Sequence, residues 1–184
     1  MTQVSDTALE GVRLITTKRF EDARGFFSET FVEEGFAKLG IAFRCVQDNH
    51  VLSKHPYTIR GIHYQIPPFS QAKLVRVVRG SALDVAIDVR RGSRTFGRHV
   101  TAVLSRENWT QILVPAGFAH AIMSLEPDTE FMYKVSAPYS PPHERGIRFD
   151  DPDLAIPWGV PIDKIIVSDR DRVMPFLKDQ PDLP

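Results

Sequence analysis

Apolar and polar positions alternate through the middle of this chain. From Ala82 to Val89, Leu83, Val85, Ile87 and Val89 fall on one face, Asp84 and Asp88 on the other. That is the period-two signature of a strand. Further strands are expected at Phe26–Val32, Arg44–His50, Ile59–Gln65, Lys73–Arg79, His99–Leu104, Thr110–Val114, Ala119–Leu125 and Thr129–Ser136. Turn sequences stand between them, among them Pro67-Pro68, Arg79-Gly80-Ser81, Arg91-Gly92-Ser93, Pro115-Ala116-Gly117 and Glu126-Pro127-Asp128. Helical spacing is confined to Phe31 to Leu39, with Gly40 placed to end it, and the tail from Asp169 to Leu177 has room for a turn or two more. Many short strands at such intervals give an all-β sandwich, barrel or jelly roll.

Composition agrees with the pattern. Val, Ile and Thr supply 40 of the 184 residues, the side chains that fit a pleated surface. The length suits one domain over residues 1–184, taking roughly 150 residues per domain as a guide. The Pro-rich run from Pro138 to His143 reads as a loop, because strand sequence on its near side must still pack with the rest. Lys+Arg and Asp+Glu both number 23, for a net charge of zero. This argues against nucleic acid or an anionic membrane as partner, though a local basic pocket for one phosphorylated metabolite stays open. The single Cys45 excludes an internal disulfide or a cysteine zinc site. No signal peptide and no membrane span is visible, so a cytoplasmic protein is expected.

Three clusters carry candidate chemistry. In Arg60-Gly61-Ile62-His63-Tyr64-Gln65, His63 and Gln65 share a strand face and Arg60 points away, unless Gly61 permits a bulge that re-aims it. A histidine in a barrel suits a general base near neutral pH, although taken alone His63 reads as a satisfied core or surface histidine. The run Pro115-Ala116-Gly117-Phe118-Ala119-His120 is a turn leading into a strand that carries a histidine. It resembles the second motif of the cupin superfamily. Metal-binding cupins carry a His-x-His pair in their first motif. Here the corresponding text is His63-Tyr64-Gln65, so no metal and no cofactor is expected. Tyr133 shares a face with Phe131 and Val135, which places a phenol among apolar neighbours if that face is interior. Gln47 and Asn49 share another face. Glu29 sits beside Phe27 and Phe31, with Arg24 as a candidate partner for a buried carboxylate. Asp169-Arg170-Asp171 alone reads as a solvated turn.

The ordered set of motifs resembles the dTDP-4-dehydrorhamnose 3,5-epimerase family. It runs from Asp22-Ala-Arg-Gly-Phe-Phe-Ser-Glu29 through Gln47-Asp-Asn49, Arg60–Gln65, Lys73–Gly80, Asp84–Arg90 and Ser93–Gly97. It continues through Pro115–His120, Tyr133-Lys134, Glu144-Arg-Gly-Ile147 and Ser168–Asp171. The resemblance implies a metal-free cupin-type double-stranded jelly roll with a few short helices, acting as a homodimer on a dTDP-4-keto-6-deoxyhexose. It implies His63 as base, Asp171 orienting it, Tyr133 as acid and Lys73 at the C4 oxygen. His120 would help hold the sugar or its charge, and Arg60 would bind the diphosphate. Arg24, Glu29, Gln47, Asn49, Glu144 and Arg170 would line the pocket, Arg24 and Glu29 from the neighbouring chain. Tyr139 is a lesser candidate, for stacking on the base. The sequence departs from the family at Ala121-Ile122, where Gly-Phe is common, at Arg148–Asp151, where Trp-Asn-Asp is common, and at Lys54–Thr58. These departures leave open a single-carbon epimerase or ketoisomerase on a related sugar. A non-catalytic nucleotide-sugar-binding cupin is a further alternative.

Overall fold

The computed structural model describes residues 2–184 as two facing antiparallel sheets with a small hairpin beside them. The strands are β1 (Gln3–Asp6), β2 (Arg13–Thr16), β3 (Phe20–Asp22), β4 (Gly25–Phe27), β5 (Gln47–Ser53), β6 (Ile59–Gln65) and β7 (Lys73–Arg79). They continue with β8 (Ser81–Asp88), β9 (His99–Ser105), β10 (Thr110–Val114), β11 (Phe118–Ser124), β12 (Thr129–Val135) and β13 (Glu144–Gly146). Helix α1 spans Glu33–Lys38 and α2 spans Asp169–Arg172. One sheet has the order β1-β2-β10-β7-β12-β5, the other β13-β6-β11-β8-β9, and β3 pairs with β4 alone. This is the expected jelly roll.

Three apolar layers explain which side each face takes. Val75, Val77, Ile112, Val114 and Phe131 from the first sheet meet Ala82, Ala86, Leu104, Phe118 and Ile122 from the second, forming the interior. The outer face of the second sheet is also dry. Ile62, Tyr64, Val85, Ile87, Ala119, Ala121 and Met123 there are covered by Ile147, Phe149, Leu154, Ile156, Trp158, Ile165, Val167 and Leu177. A third cluster joins Ile15, Leu74 and Leu113 to Phe36, Ile41 and Phe43 around α1.

Both faces of β8 are therefore buried along most of its length. Its apolar row, Val85 and Ile87, packs outward under the C-terminal segment, while Asp84 points inward and is fully buried. The N-terminal region departs from the expected pattern. Instead of a strand from Phe26 to Val32, pairing stops at Phe27, and Phe31 leaves the strand to stack edge-on against Phe36 and Phe43. Strand β5 begins at Gln47, three residues later than the expected Arg44. The strands over Ile59–Gln65, Lys73–Arg79 and Thr110–Val114 lie where the pattern puts them.

Candidate active site

Between the sheets lies a cleft of about 190 Å³, lined by Val51, Arg60, His63, Lys73, His120, Ile122, Phe131 and Tyr133. Arg60 and His63 come from β6 and His120 and Ile122 from β11, in one sheet. Lys73 comes from β7 and Tyr133 from β12, in the other. A bulge makes the first group possible. His63 pairs with His120 and Arg60 with Ile122, so β6 holds one residue more than β11 between these pairs. The extra residue turns Arg60 onto the same wall as His63. Gly61 sits there with φ +112°, and a Cβ on it would stand 2.5 Å from the His120 carbonyl oxygen. Only glycine fits that close approach.

His63 and Asp171 are hydrogen-bonded, Nε2 to Oδ1, at 2.7 Å. Asp171 is buried on α2, where Ser168 Oγ accepts from the Asp171 N–H and caps the helix. Burial pushes the Asp171 carboxyl up, but bonds from His63 and Ser168 and the charges of His63 and Arg170 outweigh it and hold the carboxyl below its ordinary value. The carboxylate accepts, so Nε2 carries a proton and Nδ1 is the ring nitrogen left to exchange one. The nearest carboxylate oxygen to Nδ1 is Glu144 Oε1, at 4.0 Å.

A second histidine–carboxylate pair joins His120 Nε2 to Asp84 Oδ2 at 2.9 Å. Asp84 has no solvent exposure, and its Oδ1 has no hydrogen-bond partner. The sequence reading left Asp84 out of the site. Its signal was a carboxylate on a strand whose flanking residues are all apolar, which demands a partner indoors. Lys73 forms no hydrogen bond or ion pair among the described residues. Burial lowers its pKa to about 8, against the charges of Asp84 and Glu144, which raise it. Tyr133 is partly buried and its hydroxyl is unpartnered among the described residues. Burial raises the phenol above its ordinary value, the Arg60 charge opposes this, and Glu144 and Tyr139 add to it. The phenol therefore keeps its proton at neutral pH. Arg60 bonds Ser53 Oγ and the Leu52 carbonyl but pairs with no carboxylate among the described residues, which leaves its charge available to an anion.

A polar rim adjoins these groups. Glu144 accepts from Tyr139 Oη at 2.9 Å and from the Arg170 guanidinium. Gln47 Nε2 donates to Asn49 Oδ1 at 2.8 Å, and Gln47 Oε1 accepts from the Tyr139 N–H at 3.0 Å. Asn49 in turn reaches the Tyr133 carbonyl at 3.4 Å. Gln65 turns its amide to the neighbouring loop, bonding Phe69, Pro138 and Ser140. Among the described residues no three His, Cys, Asp or Glu side chains stand together so as to hold a metal ion.

Arg24 and Glu29, expected to serve a neighbouring chain's pocket, lie away from this chain's cleft. Arg24 is exposed on the β3–β4 hairpin and pairs with Asp22 at 2.6 Å, so it is not the partner of Glu29. Glu29 is exposed, follows the hairpin in irregular chain, and forms no ion pair among the described residues. Neither lines this chain's cleft. Of the departures from the family pattern, Ile122 lies on the cleft wall. Ala121 and Phe149 pack in the outer layer, and Lys54–Thr58 forms a turn.

The comparisons with known proteins agree with this geometry. Residues 6–179 match the profile of the dTDP-4-dehydrorhamnose 3,5-epimerase family. A dTDP-4-dehydrorhamnose 3,5-epimerase from Sinorhizobium fredii is 48% identical over 170 residues, covering 92% of this chain and 87% of that protein. A dTDP-6-deoxy-D-glucose-3,5-epimerase from Legionella pneumophila, solved in complex with dTDP-4-keto-L-rhamnose, superposes with a TM-score of 0.94 at 38% identity. That match covers 100% of this chain and 98% of the other. A 3′-monoepimerase from Streptomyces bikiniensis, in complex with dTDP-quinovose, is similar at 37% identity and a TM-score of 0.86, over 94% of this chain and 86% of its own. With a profile match over nearly its whole length and relatives this similar, the chain belongs to the dTDP-4-dehydrorhamnose 3,5-epimerase family of isomerases.

Proposed function

We propose that the protein inverts C3 and C5 of dTDP-4-dehydro-6-deoxy-D-glucose to give dTDP-4-dehydro-L-rhamnose. The observation that carries this reading is the cleft itself. A histidine oriented by a carboxylate stands on one sheet, a protonated tyrosine on the other, and an unpaired ammonium beside them. His63 Nδ1 takes the proton from the carbon next to the C4 ketone. The C–H electron pair moves into the C3–C4 or C4–C5 bond, and the carbonyl pair moves onto the C4 oxygen. The Lys73 ammonium faces the resulting oxyanion. Tyr133 Oη returns a proton to the other face of the same carbon, and solvent resets the two side chains. Asp171 keeps Nε2 protonated and stabilises the imidazolium while it carries charge. His120, held from behind by the buried Asp84, meets the sugar's polar groups. Arg60 takes the diphosphate, and Gln47, Asn49, Tyr139, Glu144 and Arg170 take the nucleotide side.

The same reading gives Arg24 and Glu29 to a second copy of the chain. They lie outside this chain's cleft, on and beside a hairpin that exposes Phe20, Phe26 and Phe27, the last by 64%. An apolar hairpin of this kind suits a homodimer in which each copy completes the other's pocket. Residues 1–184 are taken as one epimerase unit. The cytoplasm is the proposed location; no helix is long and apolar enough to cross a membrane.

Deuterium uptake tests the reaction. Incubated in D₂O with dTDP-4-keto-6-deoxyglucose, the enzyme should place deuterium at both C3 and C5, read by NMR. Uptake at C3 alone would favour the second reading, a single-carbon epimerase, which Ile122 on the cleft wall and the similar 3′-monoepimerase support. No uptake at either carbon would overturn both.

A further inference from the structure

The chain beyond Asp171 returns across the strands that carry His63. Met174 lies against Gly146, its Sδ 3.0 Å from where a Cβ would stand. Gly146 is the residue paired with His63 in the β13–β6 ladder. Gln180 then reaches the same point from further along. Its Nε2 donates to the Gly146 carbonyl at 2.6 Å, and its Oε1 accepts from Tyr64 Oη at 3.1 Å. Tyr64 is the residue next to His63, and its hydroxyl also faces the Asp182 carbonyl at 2.8 Å. Arg145, paired with Tyr64, holds Asp182 through Nε at 3.1 Å and Nη2 at 2.7 Å. Gln180 and Tyr64 are both buried, at 5% and 2% exposure.

We propose that Gln180 is a positioning residue for the His63–Asp171 pair. Helix α2 has four residues and one cap, too little to fix a carboxylate by itself. The strap that follows it is locked by Gln180 onto the two strands holding His63. One side of the dyad is thereby tied to the other through a buried amide with both ends used. A buried amide in this position has strong geometric demands, because each lost partner leaves an unpaired polar group. The inference rests on the reading of His63 as the base.

Gln180→Met keeps the volume and removes these two bonds, together with a longer third from Nε2 to the Pro175 carbonyl at 3.4 Å. The expected result is a kcat lower by roughly ten- to a hundredfold with KM little changed, because a small displacement of a catalytic group acts on the chemical step. The low-field proton resonance of the His63 ring N–H, identified by its loss in Asp171→Ala, should broaden or vanish. In the Asp171→Ala background, Gln180→Met should cost nothing further, since the contact it serves is already gone. An unchanged kcat and resonance would overturn the proposal. So would an equal loss in both backgrounds, which marks a general structural role. If Gln180→Met does not fold, Tyr64→Phe removes one of the two bonds at the same junction and is judged by the same three readouts. The wild-type enzyme in the exchange assay separates the two readings. No exchange there defeats the epimerase assignment, while the resonance still reports whether Gln180 holds the dyad.

Discussion

Lys73 enters the cleft without a bonded counter-ion, and burial brings its pKa to about 8. A group lowered in this way is charged below that pH and neutral above it. The free enzyme should therefore lose kcat/KM as pH rises through about 8, and Lys73→Met should remove that limb along with most of the activity. A pH profile that stays flat between 7 and 9, on the order of one unit either side of that pKa, would deny the ammonium its part. His63→Ala removes the base, and turnover should fall by roughly 10²- to 10⁴-fold while the fold persists. Tyr133→Phe should lose inversion to a similar degree, roughly 10²- to 10⁴-fold, yet retain deuterium exchange without inversion, because deprotonation needs only His63. These residues were not equally visible beforehand. Period and neighbours placed His63, His120 and Tyr133 on strands, and the ordered family motifs made them site residues. Asp171 read as surface, because its burial comes from a chain return that no local pattern encodes. Asp84 was placed only on the face opposite the apolar row, since alternation gives two faces without saying which one is indoors.

At the scale of elements, the bulge in β6 is the device that makes a binding wall out of a strand. Regular pairing would alternate Arg60 and His63 to opposite sides, and Gly61 allows them to share one. Gly61→Ala should cost about 1–3 kcal/mol in stability for the positive φ alone. It should also displace the His120 carbonyl and depress diphosphate affinity, which urea titration and dTDP binding would measure. A variant with wild-type stability and affinity would show that the strand tolerates a Cβ there. The possibility of this bulge was legible in the sequence, because glycine between two polar residues of opposite parity invites it. The central strands were legible for a plainer reason. Each has branched side chains at period two and a Gly- or Pro-containing turn close by. The segment after Phe27 was not, because Phe31 finds its partners in Phe36 and Phe43, an aromatic cluster that strand periodicity does not anticipate.

For the whole molecule, the hairpin offers a test that separates assembly from catalysis. An Arg24→Ala chain and a His63→Ala chain, each impaired alone, should regain activity when co-expressed, since mixed dimers hold one intact pocket. Light scattering should report a dimer. A monomer, or no recovery in the mixture, would return Arg24 to a purely surface role. The second sheet adds a different constraint. Its outer face, from Ile62 to Met123, is finished before its cover, which runs from Ile147 to Leu177, has been synthesised. During translation the ribosome thus exposes a wide apolar sheet whose lining emerges only afterwards. A message broken before Ile147 would yield a sticky, unlined sandwich rather than a weakened enzyme. Quality control that removes such fragments would act on the same surface that, once covered, keeps the base and its carboxylate together.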